Sequence, residues 1–183
     1  MTLPKTIIII ALCIVVIIVL YLFFIMPRLW GKPSKAPYMG VYYAHRGLHD
    51  NQSSAPENSM KAFRKAVEEG YGIELDVQLT QDGIPVIFHD FTLERMCSVS
   101  GKVREMTYFQ LQQLHLLDTE EKIPTLEEFL HMVDGKVPLI VELKEEWTDL
   151  SLCPAVQKQL SAYKGVYCIE SFNPLVLLWY RRY

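Results

Sequence analysis

The hydrophobic positions of this chain form one long run near the N-terminus and several short runs further along. Thr6 to Met26 is uncharged and almost wholly apolar. As a helix rising about 1.5 Å per residue, this run spans about 30 Å, which is the thickness of a bilayer core. The run therefore predicts a transmembrane helix.

The same run has the features of an anchor that stays in the mature protein. It is longer than a typical signal-peptide core, and Pro37 follows the one loose cleavage candidate, Ser34-Lys35-Ala36. A cleaved signal and a buried helix remain the alternatives. Three aromatic residues suit the membrane interface, namely Tyr21, Trp30 and Tyr38. We expect a single-pass anchor over residues 1–30 and a linker over residues 31–40.

Positive charges predict the orientation of this anchor. Lys5 and the terminal amine precede the run, whereas Arg28, Lys32 and Lys35 follow it. Positively charged flanks tend to stay on the cytoplasmic side of a membrane. The C-terminal flank has one positive charge more than the N-terminal flank. This difference predicts a protein of the cell membrane whose domain is cytoplasmic, with the lipid bilayer as a partner.

After the linker, short apolar runs of strand length alternate with stretches of helical period. Ile73 to Thr80 alternates between apolar and polar residues, and it places Glu74 and Asp76 on one face. Five strands are expected: one ending near His45, then Ile73–Thr80, Pro85–Phe88, Val137–Lys144 and Val166–Phe172. Strands that alternate with helices predict βα units, a parallel sheet and an α/β fold.

Four of these runs carry titratable residues at or near their C-terminal ends. The segments are His45-Arg46-Gly47, Glu74-Leu75-Asp76, His89-Asp90 and Glu142-Leu143-Lys144. A single histidine at a strand end is more often structural than catalytic. Charged groups are rarely buried without partners, however, so four such ends on one sheet indicate a shared site.

The carboxylates of this set are suited to a metal ion. Glu74 and Asp76, two residues apart on one strand face, lie about 6 to 7 Å apart and can reach one cation. Glu142 can join them from a neighbouring strand. An all-oxygen ligand set favours Mg²⁺ or Ca²⁺ over zinc.

The sequence resembles the glycerophosphodiester phosphodiesterase family from about residue 42 to about residue 173. The resemblance is carried by ordered motifs: His45-Arg46-Gly47, Pro56-Glu57-Asn58-Ser59 with Ala62-Phe63, Glu74-Leu75-Asp76-Val77, Thr80-Gln81-Asp82-Gly83, His89-Asp90 with Leu93 and Arg95, Ile123-Pro124-Thr125-Leu126, Glu142-Leu143-Lys144 and Ser171-Phe172-Asn173-Pro174. The resemblance implies a TIM-type (βα)8 barrel domain over residues 41–183, in a membrane-anchored, bacterial-type member.

The resemblance also implies roles for the residues at the strand ends. His45 and His89 would be the acid and base, with His45 as base and His89 as acid in our interpretation. Arg46 and Lys144 would bind the substrate phosphate, and Glu74, Asp76 and Glu142 would bind the cation. Glu57 and Asn58 would support the site from beside it. The expected reaction is cleavage of a glycerophosphodiester to glycerol 3-phosphate and an alcohol.

The number of strands leaves other functions open. About five βα units are expected where the family fold has eight, and a typical barrel needs about 250 residues. We therefore expect a C-terminally truncated chain or a fragment. One alternative is a non-catalytic, membrane-tethered binding or scaffold module. Another is a phospholipase D-like enzyme that acts on lysophospholipids.

Composition excludes several other classes. The 183 residues carry a formal net charge of -3, so no basic surface indicates a nucleic-acid partner. The four cysteines form no CxxC pair, and neither a disulfide framework nor a zinc site is expected. No glycine-rich phosphate loop indicates a nucleotide cofactor.

Overall fold

A computed structural model describes residues 3–26, 31–32, 34–146 and 148–182. Trp30 and Arg28, which were predicted to flank the anchor, lie outside the described residues. Helix α1 (Leu3–Ile25) contains the long apolar run. Its segment Pro4–Ile25 has a mean hydropathy of 3.6 and is not buried against the rest of the chain. By length and composition this helix fits either a membrane anchor or a signal sequence.

Four parallel strands form the centre of the sheet, in the order β1-β2-β4-β5. They are β1 (Tyr43–His45), β2 (Gly72–Leu79), β4 (Leu139–Leu143) and β5 (Tyr167–Glu170). Each strand ends within about two residues of its predicted end. The α/β class and the parallel sheet predicted from the sequence are therefore confirmed.

The strand β3 (Pro85–Ile87) differs from the expectation of a further βα unit, because it pairs antiparallel with the end of β2. Only residues 80–84 connect the two strands. A parallel crossover needs a dozen or more residues, so this short connection can only form a hairpin. The connection contains Asp82-Gly83, a pair typical of tight turns.

Within the described residues, six α-helices come after β1 and pack around the sheet: α2 (Met60–Glu68), α3 (Glu94–Cys97), α4 (Tyr108–Leu111), α5 (Leu126–Val133), α6 (Leu152–Leu160) and α7 (Pro174–Tyr180). Their starts follow local side-chain chemistry. Ser59 accepts a hydrogen bond from the backbone N–H of Ala62, and Thr125 and Glu128 form a capping box.

Two apolar clusters hold these elements together. The larger one lies between the parallel sheet and α2, α5 and α6, where the rings of Phe63 and Phe129 meet edge to face at 4.6 Å. The smaller cluster lies beneath β3 and the segment 93–123. The sheet is thus fixed from one face, and its other face is left for polar side chains.

Gly47 connects the end of β1 to this core. Its φ is +81°, and a Cβ built on it would lie 2.9 Å from Phe63 Cδ1 and 3.0 Å from the backbone of Ala62. Any side chain here would therefore meet both backbone strain and a steric clash.

We expect Gly47→Ala to lower the free energy of unfolding by about 2 to 4 kcal/mol, because strain and overpacking add. Gly83→Ala is the matched control, since Gly83 has a φ of +78° but no atom within 4 Å of an added Cβ. Its loss should be about 1 kcal/mol. Urea unfolding measures both, and equal losses would show that the contact with α2 is unimportant.

Candidate active site

Three carboxylates meet on the polar face of the sheet. Asp76 on β2 is in register with Glu142 on β4, and Glu74 lies two residues before Asp76 on the same face. One oxygen from each carboxylate lies within 4.8 Å of the others. All three residues are buried, with relative exposures of 9%, 1% and 7% for Glu74, Asp76 and Glu142. The structure thus brings together the three predicted metal ligands.

Lys144 extends from the end of β4 towards the same carboxylates. Its Nζ lies 3.1 Å from Asp76 Oδ1 and 2.8 Å from Glu142 Oε1. Neither contact has the alignment of a hydrogen bond, and both oxygens count among the buried atoms without a hydrogen-bond partner. Buried carboxylate oxygens need such a partner or a cation. The donor set therefore fits a hard, oxygen-preferring divalent cation.

Burial and mutual repulsion change the acidity of these groups. Burial, followed by the charge of Asp76, raises the pKa of Glu74 to about 7. Burial likewise raises the pKa of Glu142. Burial alone would lower the pKa of Lys144, but its contacts with Glu142 and Asp76 outweigh this effect and raise it. Positive charge close to the cluster would therefore strongly stabilise its ionised carboxylates.

Arg46 turns from the end of β1 into this cluster with a φ of +56°. Its N–H donates to Glu74 Oε2 at 3.0 Å, and its carbonyl accepts from the N–H of Asn58 at 2.9 Å. Its guanidinium donates to Glu57 Oε1 at 2.9 Å, and its Nε lies 3.3 Å from Asp76 Oδ2. Strained backbone of this kind often occurs at functional sites.

Glu57 and Asn58, the two predicted supporting residues, lie beside the cluster. Asn58, with a φ of +56°, donates from Nδ2 to Asp76 Oδ2 at 2.9 Å. Burial works to raise the pKa of Glu57, but hydrogen bonds from Arg95 and Asn51 outweigh it and bring the pKa to about 2. Glu57 is therefore a fixed anion that holds Arg46.

The two predicted catalytic histidines have different surroundings. The His45 side chain is 67% exposed, and its Nε2 lies 3.8 Å from Glu74 Oε2. Burial, followed by the charge of Arg46, lowers the pKa of His45, which favours its neutral form at pH 7. His89 Nδ1 lies 2.5 Å from Asp90 Oδ1, and Asp90 in turn pairs with Arg95.

The sequence did not identify two residues of this arrangement as site residues. Arg95 contacts both Glu57 and Asp90. Gln78 donates to the carbonyls of Phe88 and Asp90 and so holds the end of the β3 hairpin. Arg95 belonged to a matched motif, and Gln78 shared the polar face of β2, but neither signal revealed its partners.

A wide groove of 1170 Å³ lies elsewhere in the described chain. It is lined by residues around α5 and α6, including His131, Lys158 and Tyr163. None of the residues predicted for the site lines it. Its size alone does not make it the functional site, because the convergence of charged groups is found at the strand ends instead.

The sequence has relatives among known proteins. The sequence profile described as "Glycerophosphoryl diester phosphodiesterase family" matches residues 45–176. Glycerophosphodiester phosphodiesterase 1 of Mus musculus is 43% identical over 95 residues, which are 46% of this chain and 28% of that protein. A glycerophosphodiester phosphodiesterase of Caldanaerobacter subterraneus is 37% identical over 128 residues, which are 64% of this chain and 49% of that protein.

Solved structures give the same result for the fold. An Oleispira antarctica phosphodiesterase, in complex with the product sn-glycerol-3-phosphate, superposes with a TM-score of 0.71 at 30% identity. The match covers 80% of this chain and 63% of that one. A glycerophosphodiester phosphodiesterase from Thermotoga maritima superposes with a TM-score of 0.63 at 33% identity. That match covers 75% of this chain and 56% of the other. The chain therefore has part of the barrel-like fold of these proteins, and it spans no more than about half the length of these curated relatives.

We expect the affinity for Ca²⁺ or Mg²⁺ to fall about tenfold between pH 8 and pH 6. A cation binds the ionised carboxylates, and Glu74, with a pKa of about 7, takes up a competing proton as the pH falls. Isothermal titration calorimetry of the full chain at both pH values measures this change.

Two variants locate the binding. Glu74→Gln should abolish it, whereas Glu170→Gln should leave it intact. Glu170 is the matched control because it is in register with Glu142 on β5 but is exposed. Equal losses in the two variants, or an affinity that is independent of pH, would contradict the assignment of the ligands.

Proposed function

This chain belongs to the glycerophosphoryl diester phosphodiesterase family, and from that membership we propose that it hydrolyses glycerophosphodiesters to glycerol 3-phosphate and an alcohol. The observation that carries the proposal is the buried cluster of Glu74, Asp76 and Glu142. Two cationic side chains, Arg46 and Lys144, lie beside this cluster. A product complex with sn-glycerol-3-phosphate in the Oleispira antarctica relative supports the same reaction class.

The requirements of the reaction match the residues. A phosphodiester resists attack because its phosphoryl oxygens are negatively charged and its leaving alkoxide is poor, so catalysis needs positive charge and a proton donor. Glu74, Asp76 and Glu142 would hold Mg²⁺ or Ca²⁺, which when bound offsets phosphoryl charge. Arg46 and Lys144 would bind the phosphoryl oxygens, with Arg46 kept in place by Glu57.

The two histidines would move the protons. His45, in its neutral form, would accept the proton of the substrate hydroxyl that neighbours the phosphodiester. That hydroxyl oxygen would bond to phosphorus while the bond to the leaving alcohol breaks, and His89 would give the alcohol its proton. Water would then open the resulting cyclic phosphate. Asn58, bonded to Asp76, would support the carboxylates throughout.

The N-terminal region would tether this chemistry to a membrane. We propose a single-pass anchor over residues 1–30, a linker over residues 31–40 and the catalytic domain over residues 41–183. The apolar composition of Pro4–Ile25 supports the anchor. The positive charges that follow it favour a cytoplasmic domain at the cell membrane.

A second candidate is phospholipase D-like action on lysophospholipids. The observation that favours it is Phe172, which is 87% exposed and whose ring centroid lies 5.7 Å from Lys144 Nζ. An exposed aromatic ring beside a phosphate-binding lysine offers apolar contact to an acyl-bearing substrate. Comparing hydrolysis of glycerophosphocholine and lysophosphatidylcholine separates the two candidates.

We expect the full chain to release glycerol 3-phosphate from glycerophosphocholine with Mg²⁺ or Ca²⁺, and not with EDTA. His45→Ala and Glu74→Gln should each lower kcat about 10² to 10⁴-fold, since one removes proton transfer and the other removes a cation ligand. His131→Ala is a suitable control, because His131 is exposed and lies on α5 away from the site.

Full activity in both site variants would overturn the assignment. Cation binding at the carboxylates without release of either product would favour the non-catalytic, membrane-tethered module instead.

A further inference from the structure

Arg95 lies between the two halves of the candidate site. It belongs to the short helix α3, outside the sheet. Its Nη1 and Nη2 donate to the two oxygens of Glu57 at 3.0 and 2.6 Å. Its Nε and Nη2 donate to the two oxygens of Asp90 at 2.6 and 3.1 Å. Two bidentate contacts fix the plane of the guanidinium group.

One end of this arrangement reaches the phosphate-binding half of the site. Glu57 Oε1 accepts hydrogen bonds from both Arg95 and Arg46. The Glu57 side chain is only 6% exposed, so it must keep these partners to remain an anion in that position. Asn51 Nδ2 also donates to Glu57 Oε2 at 2.9 Å. Arg95 and Asn51 together therefore set the position of the carboxylate that Arg46 contacts.

The other end reaches the acid/base half of the site. Asp90 Oδ1 lies 2.5 Å from His89 Nδ1 and also accepts from Arg95. Hydrogen bonds from Arg95 lower the pKa of Asp90, so it faces His89 as a carboxylate. A carboxylate at Nδ1 fixes the proton on that nitrogen and leaves proton exchange with a substrate to Nε2.

We propose that Arg95 is a positioning residue that couples the orientation of Arg46 to the tautomer of His89. The inference rests on the proposed function, because it concerns how the phosphate-binding and acid/base groups of that site are held together. Outer contacts of this kind commonly change activity about 10- to 100-fold when they are removed.

The alternative is that Arg95 only stabilises α3. Its Nη1 also lies 3.1 Å from the sulfur of Met96, which is buried in the smaller apolar cluster. A purely structural role predicts loss of stability without any change at His89. The positioning role predicts a change at His89 in protein that is still folded.

The test is ¹⁵N NMR of the histidine-labelled 183-residue chain in detergent micelles, without a metal, with the His89 signal assigned from His89→Gln. At a pH at which the His89 ring is neutral, the wild type should show the Nδ1-protonated tautomer. In Arg95→Ala this population should fall, because Asp90 loses two of its hydrogen bonds. Arg95→Lys should give an intermediate population, since one ammonium cannot make two bidentate contacts. It also supplies the comparison if Arg95→Ala does not fold.

Arg64→Ala is the matched control, because Arg64 is an exposed arginine on α2. It should leave the tautomer unchanged. A folded Arg95→Ala or Arg95→Lys variant with the wild-type tautomer would overturn the proposal.

Kinetics give a second readout that separates this proposal from the proposed function. With glycerophosphocholine, Arg95→Ala should lower kcat and raise KM together, for a loss in kcat/KM of about 10- to 100-fold. Unchanged kinetic constants would contradict the coupling. If the wild type itself shows no turnover while its tautomer depends on Arg95, the hydrolase assignment fails and the positioning role stands.

Discussion

The structure depends on the repulsion of three carboxylates that the fold buries at one place. Glu74, Asp76 and Glu142 offer oxygens within 4.8 Å of one another. In a medium less polar than water this repulsion is costly unless positive charge is close. Lys144 and Arg46 supply part of this positive charge. The pKa of Glu74 is nevertheless raised, which indicates that the carboxylates still repel one another. A divalent cation bound between the carboxylates would offset this repulsion most directly.

The backbone around the three carboxylates adopts conformations that bring hydrogen-bond donors and positive charge to them. Arg46 adopts a positive φ, which allows its N–H and its side chain to reach two different carboxylates. Gly47 then passes close to α2, and Asn58, also with a positive φ, reaches Asp76 from the start of that helix. Local strain is thus offset by contacts that hold the charged groups together.

Much of this could be predicted from the sequence, because alternation and strand ends are local signals. The strands and the convergence of the three carboxylates follow from such signals, and the matched motifs indicated the family. The direction of β3 and the partners of Arg95 could not be predicted in the same way. Both depend on which segments meet after folding: β3 folds back on β2, and α3 brings Arg95 to Glu57 across 38 positions of sequence.

The most direct measurement is anomalous X-ray diffraction from crystals of the chain grown with Ca²⁺ or with Mn²⁺ in place of Mg²⁺. The proposed function predicts one strong peak within about 2.0 to 2.6 Å of oxygens from Glu74, Asp76 and Glu142. Lys144 Nζ should have moved away from Asp76 to make room for it. A peak at another place, or well-ordered carboxylates still paired only with Lys144, would contradict the cation site on which the proposed chemistry rests.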